Sequence, residues 1–472
     1  MMRRGYGAGS RAAALLAAES NGLAIDFTDL SMVVKDTTTP ANNYDGTPGN
    51  LLAYSGASPK MTRQSDGVYR YQAHNLLLSS QEIGYNIGWA AQRLTIAANA
   101  ATAPDGTQTA TILTANAGGS WHYTSNVTTI IIGGTYSYSI SVKRVNHDWI
   151  FLNSPDDAKV TYFNLATGQF GNIASGITAS AVGLGDGWYR ITLSWTATSA
   201  MGGGGLGISG GNAEGSFSAA GTEQVAAWGA YLRRTPSVDT YLPTTSAARY
   251  DLPYEWDASG NPLGVLVEPQ ATNLARTSIN LASAYWGAIR STITANAAVA
   301  PDGTTTAATL TATSADGFLY QACESVSGQS HCGTVFIKRK TGSGVVRLIG
   351  ADGSRSVVSI SSSWNRYSVV KTSSTTLPYI GVELATAGDE VHVWQADLVL
   401  GVATSPILTY GSQVTRAADD PKIAQTAFPW ASGSGTLSVD GVVTTPQTSG
   451  GYLRIQPRSG QTHVTTFKWV PA

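Results

Sequence analysis

Four consecutive residues, Asn146, His147, Asp148 and Trp149, place an amide, an imidazole, a carboxylate and an indole side by side. That set suits a sugar ring, whose C–H face stacks on an aromatic surface while planar polar groups take its hydroxyls. Trp121, His122 and Tyr123 form a second such set. Each has a plainer reading. Trp149 opens the apolar stretch WIFL and would then pack inside, as patterned aromatics mostly do. In an internal repeat described below, Phe318 and Tyr320 replace Trp121 and Tyr123, which favours a core role for that pair. The candidate glycan-binding residues are therefore Asn146, His147, Asp148, Trp149, Trp121 and His122.

Catalytic chemistry has thinner support. The six histidines, at 74, 122, 147, 331, 392 and 463, never fall at metal-ligand spacing. GISGG, Gly207 to Gly211, matches the nucleophile-elbow pattern G-x-S-x-G. That elbow needs a strand-to-helix turn in an α/β sheet, and a glycine-rich loop between strands supplies neither. Asp156-Asp157 and Asp419-Asp420 could hold calcium, although adjacent acids on loops are usually just solvated. No catalytic residue, metal site or cofactor is nominated. A polysaccharide depolymerase stays open as the alternative, because the two carboxylates of a glycosidase are set by spatial separation, which sequence does not display.

The elements that must position the candidates come from a duplication. IAANAATAPDGTQTATILTA, from Ile96, returns as ITANAAVAPDGTTTAATLTA from Ile293, with 15 of 20 positions identical. Around it, Asn75 matches Asn273, Trp89 matches Trp286, Arg144 matches Arg339, Trp188 matches Trp364 and Trp228 matches Trp394. The spacing shrinks along this series, so the first copy carries extra residues between Arg144 and Trp188 and between Trp195 and Trp228. Both intervals read as loops, since the second contains MGGGGLGISGGNAEGS, a poor strand former.

The shared segments have strand periodicity. Tyr136, Tyr138, Ile140 and Val142 alternate with Thr135, Ser137, Ser139 and Ser141. APDGT is a turn, with Pro pre-setting φ, Asp bonding back to local backbone and Gly closing it. The expected fold is all-β: tandem antiparallel β-sandwiches of jelly-roll, galactose-binding-like type, after a small N-terminal region with a short helix near Ser10 to Glu19. The expected boundaries are an N-terminal region 1–74, first sandwich 75–250, hairpin linker 251–272, second sandwich 273–420 and a C-terminal β segment 421–472. The terminal segments look too short to bury their own apolar strands, which predicts an oligomer.

Bulk properties narrow the partners. Net charge is −1, from 29 basic and 30 acidic residues, so no field draws nucleic acid or anionic lipid. No apolar run reaches the roughly 18 residues that cross a bilayer, so membrane insertion is not expected. The start, with Arg3 and Arg4 before AAALLAA, imitates a secretory signal but reads better as an amphipathic helix. Cys323 and Cys332 read as free thiols of a reducing compartment.

NPLGVLVEPQATNLARTS, TITANAAVAPDGTTTAATL, SPILTYGSQVTRAADDP and the opening LAIDFTDLSMVVKDTTTPANNYDG together resemble the tandem jelly-roll modules of tailed-bacteriophage head spike fibre and tail fibre proteins. The resemblance covers most of the chain. It implies a virion structural protein assembled in the host cytoplasm, with residues 1–74 joined to other virion proteins. It further implies a homotrimer whose sandwiches touch host-surface polysaccharide. TAFPWASGSGTLSV resembles the entry to a lectin-like sandwich, incomplete here. The second copy departs from the pattern by lacking the long insertions, which puts its ligand binding in doubt.

Overall fold

A computed structural model describes residues 11–19, 22–29, 31–35, 44–46, 52–54, 58–154, 159–235, 241–424, 435–444, 446, 448–449 and 452–471. The acidic pair Asp156-Asp157, the basic start of the chain and the TAFPW segment lie outside them. The regular secondary structure of the described residues is almost all strand, and their one α-helix is Arg11–Leu15, shorter than expected. They form two compact units: residues 73–250, and residues 1–72 together with 251–472.

The unit of residues 73–250 is an antiparallel sandwich. One sheet runs in the order Thr178–Gly185, Trp188–Thr196, Thr135–Arg144, Gln224–Arg233, Ala110–Ala115, Leu94–Ala101. The other runs Gln169–Phe170, Lys159–Asn164, Trp149–Ser154, Met201–Ile208, Gly118–Thr129, Ser216–Ala219, and Trp89–Gln92 also pairs Gly118–Thr129. Tyr136, Tyr138, Ile140 and Val142 point into the core with Ile191, Leu193, Ile150, Leu152, Leu206 and Ile208. This is the face that their period-two spacing predicts. Each such side chain contributes about 1.5–3 kcal/mol on burial.

Two expectations need correction here. The intervals expected to be loops contain the strands Trp149–Ser154, Lys159–Asn164, Thr178–Gly185 and Met201–Ile208. The glycine run is itself a mid-sheet strand, MGGGGLGI. Glycine is a weak strand former, but here neighbouring side chains occupy the space its own would need. A Cβ on Gly204 would stand 2.1 Å from Tyr138 Cδ2, and one on Gly202 would stand 2.4 Å from Ile130 Cδ1.

In the other unit, residues 273–420 build a second sandwich. One sheet is Ser291–Ala298, Ala307–Ala312, Glu390–Leu400, Ser330–Thr341, Asn365–Thr372; the other is Gly287–Ile289, Gly317–Ala322, Tyr379–Leu384, Val346–Ile349, Arg355–Val358. The terminal segments pair with each other. Gly22–Asp26 lies between Ser31–Lys35 and Thr466–Pro471 in a six-stranded sheet, and Leu52–Tyr54 joins Pro421–Ala424 in a four-stranded one. Met32, Val34, Phe467 and Trp469 are buried there. The terminal strands therefore find cover within the chain, and the oligomer expectation loses the argument from unburied ends. Tyr254–Trp256 and Pro262–Leu266 form the expected hairpin, with the Asp257 carboxylate accepting Ser259 and Asn261 N–H at 2.8 Å each.

The repeated residues make repeated contacts. Asn75 donates Nδ2 to Ala230 and Leu242 carbonyls and accepts from Leu77 and Leu232 N–H; Asn273 does the same with Ala396, Ile407, Ala275 and Leu398. Trp228 and Trp394 each donate Nε1 to a threonine hydroxyl at 3.0 Å, Thr109 and Thr306 respectively. In the APDGT turns, Thr107 and Thr304 N–H donate to Asp105 and Asp302 at 3.0 Å, and Gly106 and Gly303 have φ of 83° and 84°. The shared wording is framework.

Candidate functional site

The outward face of the glycine-bearing sheet in the first sandwich collects its aromatics. Register sets Tyr123 opposite Gly207, Gly207 opposite Phe151, and Phe151 opposite Tyr162. One step along, Ser125, Gly205, Asn153 and Val160 form the next row. Gly203, Gly205 and Gly207 thus make a side-chain-free floor on this face. A Cβ on Gly207 would stand 2.1 Å from Phe151 Cζ, and one on Gly205 would stand 2.0 Å from Asn153 Oδ1.

Phe151 lies on this floor at Gly207, and Trp121 covers Phe151. Its ring meets Phe151 edge-on with centroids 5.1 Å apart, and it lies against the Gly215 backbone, where a Cβ would stand 2.1 Å from Cζ3. Tyr123 and Tyr162 flank Phe151 at 6.5 Å and 6.2 Å. Phe151 is consequently buried, while Trp121 is 39% exposed. Asn153 Oδ1 is buried with no hydrogen-bond partner. An exposed aromatic surface of this kind can stack on the C–H face of a sugar.

The structure brings the two candidate sets to one end of this sheet but divides their roles. Trp121 and Tyr123 lie on the outward face, not in the core that the substitution by Phe318 and Tyr320 favoured. Trp149 opens its strand, half-buried, with its ring against Gly171. His147 stacks on Phe217 at 6.0 Å and His122 meets the same ring at 5.1 Å. One ring nitrogen of each bonds backbone, His147 Nε2 to Ser209 O at 2.7 Å and His122 Nδ1 to Arg93 O at 3.0 Å, while His122 Nε2 is buried without a partner. Asn146 is likewise used, donating to Thr222 O at 2.9 Å and accepting from Gln224 N at 2.7 Å. Asp148 pairs with exposed Arg144 at 2.5 Å. Asn153, Phe151, Tyr162 and the glycine floor escaped the sequence reading; the signal available was alternation in WIFLNS, where Trp149, Phe151 and Asn153 share a face.

The second sandwich repeats the geometry with different chemistry. Tyr320 takes the place of Tyr123 and faces Gly381, where a Cβ would stand 2.9 Å from Ile349 Cδ1. Phe318, in the place of Trp121, lies under the Arg355 guanidinium at 5.1 Å. Glu383 binds Arg347 at 2.7 Å and Arg355 at 3.0 Å across the same face. Paired charges stand where the first sandwich presents rings.

The other sequence candidates find plain partners. Ser209 of GISGG donates its hydroxyl to Gly211 and Glu214 carbonyls at 2.7 and 2.9 Å. Asp419 contacts Lys60, and Asp420 pairs with Lys422 at 3.2 Å. Cys323 and Cys332 are free and buried. Among the described residues no group of three or more His, Cys, Asp or Glu could hold a metal ion, and no helix is long and apolar enough to cross a membrane.

Fold and site together describe a tandem antiparallel β-sandwich protein with an aromatic face on its first sandwich. No protein-family model matches the chain, and no curated protein matches it in sequence. Among solved structures it is similar to the N-terminal CBM22-1-CBM22-2 tandem domain of Paenibacillus barcinonensis Xyn10C, at 12% identity and TM-score 0.26, over 70% of this chain and 99% of that one. A xylan-binding domain from CBM 22 aligns at 12% identity and TM-score 0.22, over 28% of this chain and 97% of that one. The ANXUR2 extracellular domain of Arabidopsis thaliana aligns at 6% identity and TM-score 0.19, over 72% and 97%.

Proposed function

We propose that this protein is a structural and adhesive component of a tailed-bacteriophage virion that binds host-surface polysaccharide through the first sandwich and performs no catalysis. The observation that carries the glycan reading is the outward ring surface of Trp121 and Tyr123, both set against Phe151, whose own ring lies on Gly207. In this reading Trp121, Tyr123 and Trp149 touch sugar, while His122, His147 and Asn146 support the chain behind them. Asp148, exposed beside Arg144, stands at the rim. The virion part is supported by the resemblance of the repeated segments to phage head spike and tail fibre proteins. With it come attachment to other virion proteins through residues 1–74 and projection as a homotrimer.

Calorimetric titration of the purified chain with capsular and cell-wall polysaccharides of candidate hosts tests the glycan reading. Binding that Trp121→Ala weakens is the expected result; equal binding by both proteins overturns it. New reducing ends during the same incubation would replace adhesion with depolymerisation. A monomer mass in solution would remove the trimer, and absence of the chain from purified virions would remove the virion assignment.

A further inference from the structure

Lys60, Glu268 and Asp419 come from three distant stretches and meet inside the unit of residues 1–72 and 251–472. Their side chains are 0%, 4% and 3% exposed. Lys60 Nζ is in direct contact with Asp419 Oδ2, lies 3.2 Å from Glu268 Oε2 and donates to Leu266 O at 3.1 Å. The Glu268 backbone N–H donates to the same Asp419 oxygen at 2.7 Å. Glu268 is fixed in turn by Ser405 N–H and Oγ, at 2.7 Å each, and by Arg416 Nη1 at 3.1 Å.

We propose that Lys60 and Asp419 condense into an intramolecular isopeptide bond, with Glu268 moving the proton. Lys60 Nζ, as the neutral amine, attacks Cγ of the protonated Asp419 carboxyl, and the N–C bond forms. Glu268 takes the surplus proton from nitrogen and returns it to the departing Asp419 oxygen. The C–O bond then breaks and one water leaves, so the reaction needs no oxidant or other co-reactant.

Four features favour this step over a lasting ion pair. Burial pushes Lys60 down to about 7, although nearby Glu268 pulls it upward, so amine is abundant near neutral pH. The Glu268 N–H is aimed at the oxygen on which negative charge develops, as in an oxyanion hole. Holding amine and carboxyl together away from water supplies the effective concentration that condensation lacks in solution. Two buried charges also carry a desolvation cost that amide formation removes. The bond would join residues 359 apart, tying the chain before the Met61–Arg63 strand to the chain before Pro421–Ala424.

Intact mass of the full chain under denaturing, reducing conditions tests the proposal and does not depend on any variant folding. The expected mass is one water below that of the sequence, and trypsin should release a branched peptide joining Lys60 to Asp419. Glu268→Gln should return the unbridged mass, as should Asp419→Ala. A wild-type chain at full sequence mass overturns the proposal, as does a water loss that maps elsewhere. Bridging of Glu268→Gln at the wild-type rate overturns the role of Glu268.

Discussion

Gly207 and Phe151 face each other on adjacent strands so closely that a Cβ on the glycine would stand 2.1 Å from the Phe151 ring. The ring lies down onto the sheet only because no side chain stands beside it. Trp121 then packs on that ring at 5.1 Å, so the exposed aromatic surface depends on a missing methyl group two layers below.

Gly207→Ala should therefore lift Phe151, displace Trp121 and weaken glycan binding, with a stability cost of about 1–3 kcal/mol from overpacking. Gly381→Ala, at the matching place in the second sandwich, should cost stability but leave glycan affinity unchanged. Paired melting and titration experiments check both.

Trp121→Ala should weaken binding by about 1–3 kcal/mol while moving the melting temperature little, because the ring is already 39% exposed. Trp149→Ala should cost both affinity and stability, since that half-buried ring begins a strand and packs on Gly171. Comparing melting with affinity for each variant separates surface from support.

Asn75→Ala and Asn273→Ala should destabilise their own sandwiches to similar extents. Each removes a buried amide that satisfies two carbonyls and two N–H groups. Orphaning such groups costs roughly 1–3 kcal/mol apiece. Denaturant unfolding of the two variants should reveal matched losses.

Burial pushes the Asp397 carboxyl up to about 6, although Arg366 and Gln395 pull it down. The folded chain then holds a proton there that the unfolded chain releases near 3.8. The contribution to folding is full below pH 3.8 and is lost as pH rises through about 6. Asp397→Asn should flatten the fall in stability between pH 4 and pH 7 relative to wild type, measured by denaturant unfolding across that range.

Burial raises the Cys323 thiol to about 12 and raises Cys332 as well. Neither should react with iodoacetamide in the native protein at neutral pH, and both should react at once in denaturant. Alkylation followed by mass measurement reads this directly.

Much of the framework was open to local reading. Alternation of Tyr136, Tyr138, Ile140 and Val142 with serines specified a strand and its buried face, because side-chain direction in a strand repeats every two residues. APDGT specified its turn twice, since Pro, Asp and Gly act on backbone within four residues. The duplication was visible because identical contacts demand identical residues, as Asn75 and Asn273 demonstrate.

Tertiary structure decided the rest. MGGGGLGI has low strand propensity of its own and is a strand because Tyr138, Phe151 and Ile130 fill the volume its glycines leave, and those side chains arrive from elsewhere in the chain. Nothing local to Lys60 announces Glu268 or Asp419, and nothing in LAID announces the pairing of Leu23 with Trp469. Propensity and periodicity are properties of neighbours in sequence. Which face a strand turns to which partner, and which buried charge finds its counter-charge, follow from long-range packing that satisfies every strand at once.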